Sequence, residues 1–294
     1  MKRAVPVAVL VLALAFPGCS TAPAPAPATA PAPAPNAMRE AVPPADDLNA
    51  ILWQETAAEH HALCLQAYRL AKAKLDQALK DPSWTAAVEQ TVEQTGGFAS
   101  LPPAVILDVD ETVLDHGLYG GQNIHEGKGH TLERWTAWLD SGLATALPGA
   151  VDFTQYAASK GVEVFFVSNT EADAKPLVKK ILVARGFPVK ADTLLFKGEQ
   201  PDWTGNKTSR RAFLARKYRI VMLVGDDLGD FLGGVDTTVE KRQEMADARG
   251  AWWGERWILL PNPAYGSWER ALTRGGTTPQ QRRELKLKNL RGWK

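Results

Sequence analysis

Cysteine is nearly missing from this chain: its 294 residues include only two, Cys19 and Cys64. If Cys19 carries a modification, Cys64 has no partner and a disulfide framework is excluded. Charge of one sign is also missing. The formal net charge is +1, and removal of Lys2 and Arg3 with a leader takes the mature chain to −1. Such a balance speaks against a nucleic-acid polymer or other polyanion as partner. The apolar run at residues 5–16 is too short for a permanent membrane span. Stability must come from a packed core, and the length suits one large domain with appendages.

What is present begins with an address. Lys2-Arg3, the apolar run and then Gly18-Cys19 read as a signal peptide over residues 1–18. The Gly-Cys junction resembles the bacterial lipoprotein processing site, although Phe16-Pro17 departs from its usual flank; by that resemblance Cys19 is the lipidated first residue. An ordinary cleaved signal giving a soluble periplasmic protein is the alternative. Residues 22–35 alternate Ala and Pro almost without interruption, which favours extended polyproline II and cannot build a core. Residues 19–45 are therefore read as anchor cysteine plus spacer, the fourteen residues 22–35 alone reaching roughly 40 Å at ~3.1 Å each. The expected location is the cell envelope, as an outer-membrane lipoprotein or a periplasmic protein, with the membrane a partner through the lipid.

From residue 47 to 80 the apolar spacing predicts one or two amphipathic helices, with Asp46-Asp47 as cap and Asp81-Pro82 as stop. His60, His61 and Cys64 lie in this stretch, but adjacent histidines diverge around a helix, so a plain amphipathic helix is preferred to a metal site. After Pro102-Pro103 short continuous apolar runs appear at residues 104–107, 162–167 and 220–224, with further strand candidates at 194–196 and 257–260. Helical stretches at 172–185 and 208–217 lie between them. This alternation predicts a doubly wound parallel α/β sheet, with the active site at the carboxyl ends of the strands and a smaller helical part beside it. The α/β domain is expected to span residues 46–272. Residues 273–294 hold seven basic side chains against one acid, and read as a solvated, poorly ordered tail.

Chemistry collects where apolar strands end. Asp108-Val109-Asp110-Glu111-Thr112 puts two carboxylates at the mouth of the sheet. Ser168-Asn169 follows Val167 and offers a hydroxyl and amides suited to phosphate oxygens, or else a helix cap. Lys207 heads a helical stretch, where its cation can neutralise a phosphoryl group. Gly225-Asp226-Asp227-Leu228-Gly229-Asp230 follows Val224, and acids so placed beside a buried strand call for a cation.

These four motifs, in this order, resemble the haloacid dehalogenase (HAD) superfamily, and more closely the bacterial class C acid phosphatases of the lipoprotein e, 5′-nucleotidase type. Gln66-Ala-Tyr68 and Leu260-Pro-Asn-Pro-Ala-Tyr-Gly-Ser-Trp268 carry the same resemblance. It implies a phosphoric monoester hydrolase acting on 5′-nucleotides or aryl phosphates through an aspartyl phosphate. Asp108 would be the nucleophile and Asp110 the acid/base. Mg²⁺ would be held by Asp108, the main-chain carbonyl of Asp110, and Asp226. Ser168, Asn169 and Lys207 would bind the phosphoryl group, Asp230 would orient Lys207 or a metal-bound water, and Trp135 and Tyr265 would stack on the substrate. Three positions depart from the family pattern: His116-Gly117 stands where Asn-Ser is common, Thr170 where Arg is common, and Asp227 where Asn is common. The nucleophile, acid/base and lysine are intact, which disfavours a non-catalytic binding lipoprotein; phosphotransferase activity and a homodimer remain open on sequence alone.

Overall fold

The computed structural model describes residues 46–90 and 97–293. The expected signal peptide, Cys19 and the Ala/Pro spacer lie outside the described residues. The N-terminal amphipathic stretch forms two helices, α1 (Leu48–Thr56) and α2 (Ala58–Ala78). In α2, His60, Cys64, Tyr68, Ala71, Leu75 and Ala78 are buried, a 3.6-residue stripe facing the sheet. His60 Nε2 lies 3.8 Å from Cys64 Sγ, while His61 is exposed. Among the described residues no third ligand atom lies near them.

Five parallel strands make the central sheet: β1 (Pro103–Leu107), β4 (Glu163–Glu171), β5 (Leu194–Lys197), β6 (Arg219–Gly225) and β7 (Trp257–Leu259). Their order is β5-β4-β1-β6-β7, with β1 in the middle. The small β2 (Leu114–Asp115) and β3 (Thr145–Ala146) pair antiparallel in a sheet of their own. Successive residues of the central strands feed opposite cores, as the two-residue pleat requires. Val105, Leu107, Val164, Phe166 and Val224 pack with Tyr68, Leu75, Phe153 and Val178. Ala104, Ile106, Phe165, Val167 and Leu223 pack with Leu214, Phe231 and Trp257. Burial on both faces is why these strands read as unbroken apolar runs.

The smaller helical part lies between β2 and β3 as α3 (Gly117–Glu126) and α4 (Leu132–Ser141). Helix α1 packs on α3 so closely that a Cβ on Gly120 would stand 2.5 Å from Ile51 Cδ1. The remaining helices are α5 (Ala150–Ser159), α6 (Lys175–Ala184), α7 (Thr208–Ala215), α8 (Leu228–Phe231), α9 (Val239–Asp247), α10 (Ser267–Leu272) and α11 (Pro279–Asn289). The last of these differs from expectation. Thr278 and Gln281 form a capping box and Pro279 takes the first turn, so the basic tail is helical over half its length. Lys286 pairs with Glu269 at 2.6 Å and joins α11 to α10.

Candidate active site

Register brings the acids together. Leu107 of β1 pairs with Val224 of β6, and Asp108 N donates to Val224 O at 3.0 Å, so Asp108 and Asp226 leave adjacent strands side by side. The next residue after Val224 is Gly225, where a Cβ would meet Asp230 Cβ at 2.4 Å; the missing side chain is what admits Asp230. Asp108, Asp226 and Asp230 can each offer a carboxylate oxygen within 4.8 Å of the others.

Lys207, the N-cap residue of α7, is buried against this cluster. Its Nζ donates to Asp108 Oδ1 and, at 2.7 Å, to Asp230 Oδ1. Burial alone would lower the ammonium pKa, but the Asp108 and Asp230 carboxylates outweigh it and hold Lys207 charged. Burial pushes Asp108 up to about 7, against the pull of Lys207. Asp226 is raised by burial and then by the charges of Asp108 and Asp230. Three carboxylates against one ammonium leave excess negative charge out of water, and oxygen donors of this type suit a hard divalent cation. Asp230 has both oxygens engaged, Oδ1 by Lys207 and Oδ2 by the Asp227 amide at 3.0 Å. This pairing fits Asp230 to orienting Lys207.

Asp110 occupies a different setting two residues on. Its Oδ1 meets His116 Nε2 at 3.0 Å, and its Oδ2 accepts from Ser168 Oγ at 3.1 Å and Thr170 Oγ1 at 3.2 Å. Burial would raise its pKa; the interaction with His116, then the Ser168 hydrogen bond and the charge of Lys207, lower it overall. Ser168 lies inside β4 rather than after it, because that strand runs on to Glu171 past an irregularity at Ser168. Asn169 is tied back, its amide donating to Gly205 O at 3.0 Å and its Oδ1 accepting from Arg210.

A cavity of about 590 Å³ opens over these groups, lined among others by Asp108, Asp110, Asn169, Lys207, Asp226 and Tyr265. Of the two rings expected to stack, Tyr265 lines it. Trp135 lies outside the lining, in an aromatic cluster with His116, Tyr119 and His130. Asp227 is a structural residue: it caps α8 and accepts from the amide and hydroxyl of Ser267, each at 2.5 Å, fixing the loop that carries Tyr265.

Sequence reasoning missed several supporting groups. Thr112 Oγ1 donates to Asp226 Oδ1 at 2.9 Å, and Asn262 Nδ2 to Asp226 Oδ2 at 2.8 Å. Tyr68 Oη donates to Thr112 O at 2.6 Å, which ties the loop after Asp110 to α2. Glu111 is buried at φ 58°, in the left-handed region, with Gln54 Nε2 donating to its Oε2 and Tyr265 Oη to its Oε1 at 3.4 Å. No local signal separates Glu111 from an ordinary turn acid; Thr112 closes the Asp108–Thr112 motif and Asn262 lies in the Leu260–Trp268 segment, but neither position by itself indicates a contact with Asp226.

Residues 39–268 match the family described as HAD superfamily, subfamily IIIB (Acid phosphatase). The class C acid phosphatase from Bacillus anthracis is similar at 32% identity and a TM-score of 0.73, covering 84% of this chain and 98% of that one. Its structure with tungstate bound is similar at 31% identity and the same TM-score of 0.73, again covering 84% and 98%. The stem 28 kDa glycoprotein of Glycine max is 28% identical over 170 residues, which are 54% of this chain and 58% of that protein. The chain thus spans less than two thirds of that relative's length.

Glu111 generates a pH prediction. Burial raises its carboxyl to about 8, so the stability contributed by its neutral form is fully present below the ordinary value of 4.5 and is lost as pH rises through 8. Glu111→Gln cannot ionise. It should melt close to the parent at pH 5 and roughly 5 °C above it at pH 9, measured by thermal unfolding. An equal difference at both pH values would rule out the buried carboxyl as the cause.

Proposed function

The chain belongs to the acid phosphatases of HAD superfamily subfamily IIIB, and on that premise we propose that it hydrolyses phosphate monoesters, 5′-nucleotides and aryl phosphates among them, through a phospho-aspartate on Asp108. The observation that carries this reading is Lys207 bridging Asp108 and Asp230 beneath the cavity. A nucleophilic carboxylate, a fixed cation and space for a substrate meet at one point. Tungstate, a tetrahedral oxyanion like phosphate, is bound in the B. anthracis relative, which supports an oxyanion site of the same kind here.

The residues divide the work by their surroundings. A carboxylate oxygen of Asp108 attacks phosphorus, the bond from phosphorus to the ester oxygen breaks, and Asp110 gives its proton to the departing alkoxide. Water then attacks the phosphorus of the acyl phosphate and yields a proton to Asp110. The bond to Asp108 breaks and inorganic phosphate leaves. Lys207 would donate to phosphoryl oxygens as charge builds on them, joined by Ser168 when its hydroxyl turns from Asp110 Oδ2, with Asn169 beside them. Asp108, Asp226 and the Asp110 carbonyl would hold Mg²⁺, which when bound supplies the positive charge that lets an anionic nucleophile approach an anionic ester. Tyr265, partly exposed at the cavity, suits stacking on a nucleobase or aryl group, worth about 1–3 kcal/mol.

Asp108→Asn should lower turnover by more than about a thousandfold, because an amide neither attacks in line nor matches a carboxylate as a metal ligand. Chelation should abolish parent activity and Mg²⁺ restore it. A variant retaining a tenth of the parent rate, or activity indifferent to chelation, would contradict the mechanism.

The rate should be bell-shaped in pH with its maximum on the acidic side of neutrality. Asp110 must carry a proton in the first step and its pKa is lowered, so acid favours that step. At still lower pH, protons compete with the metal for Asp108 and Asp226. A steady-state kcat profile that rises continuously from pH 5 to 9 would contradict these roles.

The lipoprotein-like junction at Cys19 supports anchoring of the enzyme to an envelope membrane by acylation. Cys19→Ser should therefore shift the protein from the membrane pellet to the soluble fraction. Retention after a high-salt wash would point to another anchor.

A further inference from the structure

Both oxygens of the Asp110 carboxylate are reached by hydrogen-bond chains that begin on one helix, Oδ2 also accepting from Ser168 Oγ at 3.1 Å. Trp138 of α4 donates from Nε1 to His116 Nδ1 at 2.7 Å. An indole N–H can only donate, so Nδ1 is the accepting nitrogen of that ring and the ring hydrogen sits on Nε2. That hydrogen points at Asp110 Oδ1, 3.0 Å away. Trp135, three residues earlier and on the same helix face, donates from Nε1 to Thr170 Oγ1 at 3.2 Å. The Thr170 hydroxyl keeps its own hydrogen for Asp110 Oδ2, at 3.2 Å. The rings pack against one another, His116 standing 4.7 Å from Trp135 and 6.1 Å from Trp138 between centroids.

The two links in these chains, His116 and Thr170, occupy two of the three positions where the sequence departs from the class C pattern. They are far apart in sequence, yet they close on opposite oxygens of one carboxylate. We infer that His116 and Thr170 are positioning residues that, driven by the two α4 indoles, fix the plane of the Asp110 carboxylate toward the leaving-group oxygen. This rests on the reading of Asp110 as the general acid. Orientation matters there because proton delivery requires an aligned donor, and a carboxylate free to turn presents its proton at the wrong angle for most of the time.

The relay has a signature that a merely structural role lacks. Esters with poor leaving groups need the proton, whereas aryl phosphates with good leaving groups do not. Trp138→Phe keeps a ring but removes the donor, and Thr170→Val keeps the branched shape but removes the hydroxyl. Single-turnover rates of both variants would be measured on an alkyl phosphate and on 4-nitrophenyl phosphate, with Asp110→Asn alongside. Each relay variant should lower the alkyl rate about tenfold and the aryl rate no more than about threefold, with KM within about twofold of the parent. Asp110→Asn should show the same selectivity more strongly. Equal losses on both esters in both relay variants, with Asp110→Asn still selective, would overturn the relay and leave the general acid standing. Equal losses in Asp110→Asn itself would overturn both.

Discussion

One buried contact organises the site: the Lys207 ammonium between Asp108 and Asp230. Without a cation, placing three carboxylates at the end of a buried sheet would cost on the order of several kcal/mol per charge. The lysine offsets that cost only if α7, β1 and the turn after β6 arrive together, so the ion pair and the topology depend on each other. The local chemistry of the chain cooperates. Gly225 leaves room for Asp230, and the Asp227/Asp230 capping box turns the chain so that Asp230 faces inward.

Within that frame two acids separated by a single residue acquire opposite tendencies. Asp108 shares its space with Asp226 and Asp230, and burial carries its pKa upward; Asp110 is enclosed by donors that favour its charge. The difference arises from neighbours supplied by distant elements, Asp226 and Asp230 beside Asp108 and His116, Ser168 and Thr170 around Asp110.

How much of this was legible follows from the same division. The five strands could be read because burial on both faces leaves continuous apolar runs, and Asp108, Asp110, Lys207 and Asp226 stood out because they sit where such runs or the next helix begin or end. What the strand ends could not reveal is who leans on them. Trp138 and His116 are separated by 22 positions, Asn262 and Asp226 by 36, and Tyr265 and Glu111 by 154, and no local period links such pairs. Trp135 shows the same limit: an aromatic on a helix can face a cavity or a neighbouring hydroxyl, and here its N–H is turned to Thr170. The basic tail differs for another reason. Its charge suggests a solvated end, but Thr278-Pro279 with Gln281 is a helix-start signal, and the capping groups outweigh the charge run.

The contact between the two ends of the described domain carries a different consequence. Asp46, just before α1, forms ion pairs with Arg283 and Lys286 of α11. Residue 46 and the first turns of α11 therefore lie side by side, and a short loop would suffice to join them. The closure entropy of such a loop is small, so the fold is open to circular permutation, with new termini cut in the exposed connection between α3 and α4 at Gly129. Continuity of the backbone at the ends of the domain is thus dispensable to the architecture in a way that continuity through the centre of the sheet is not.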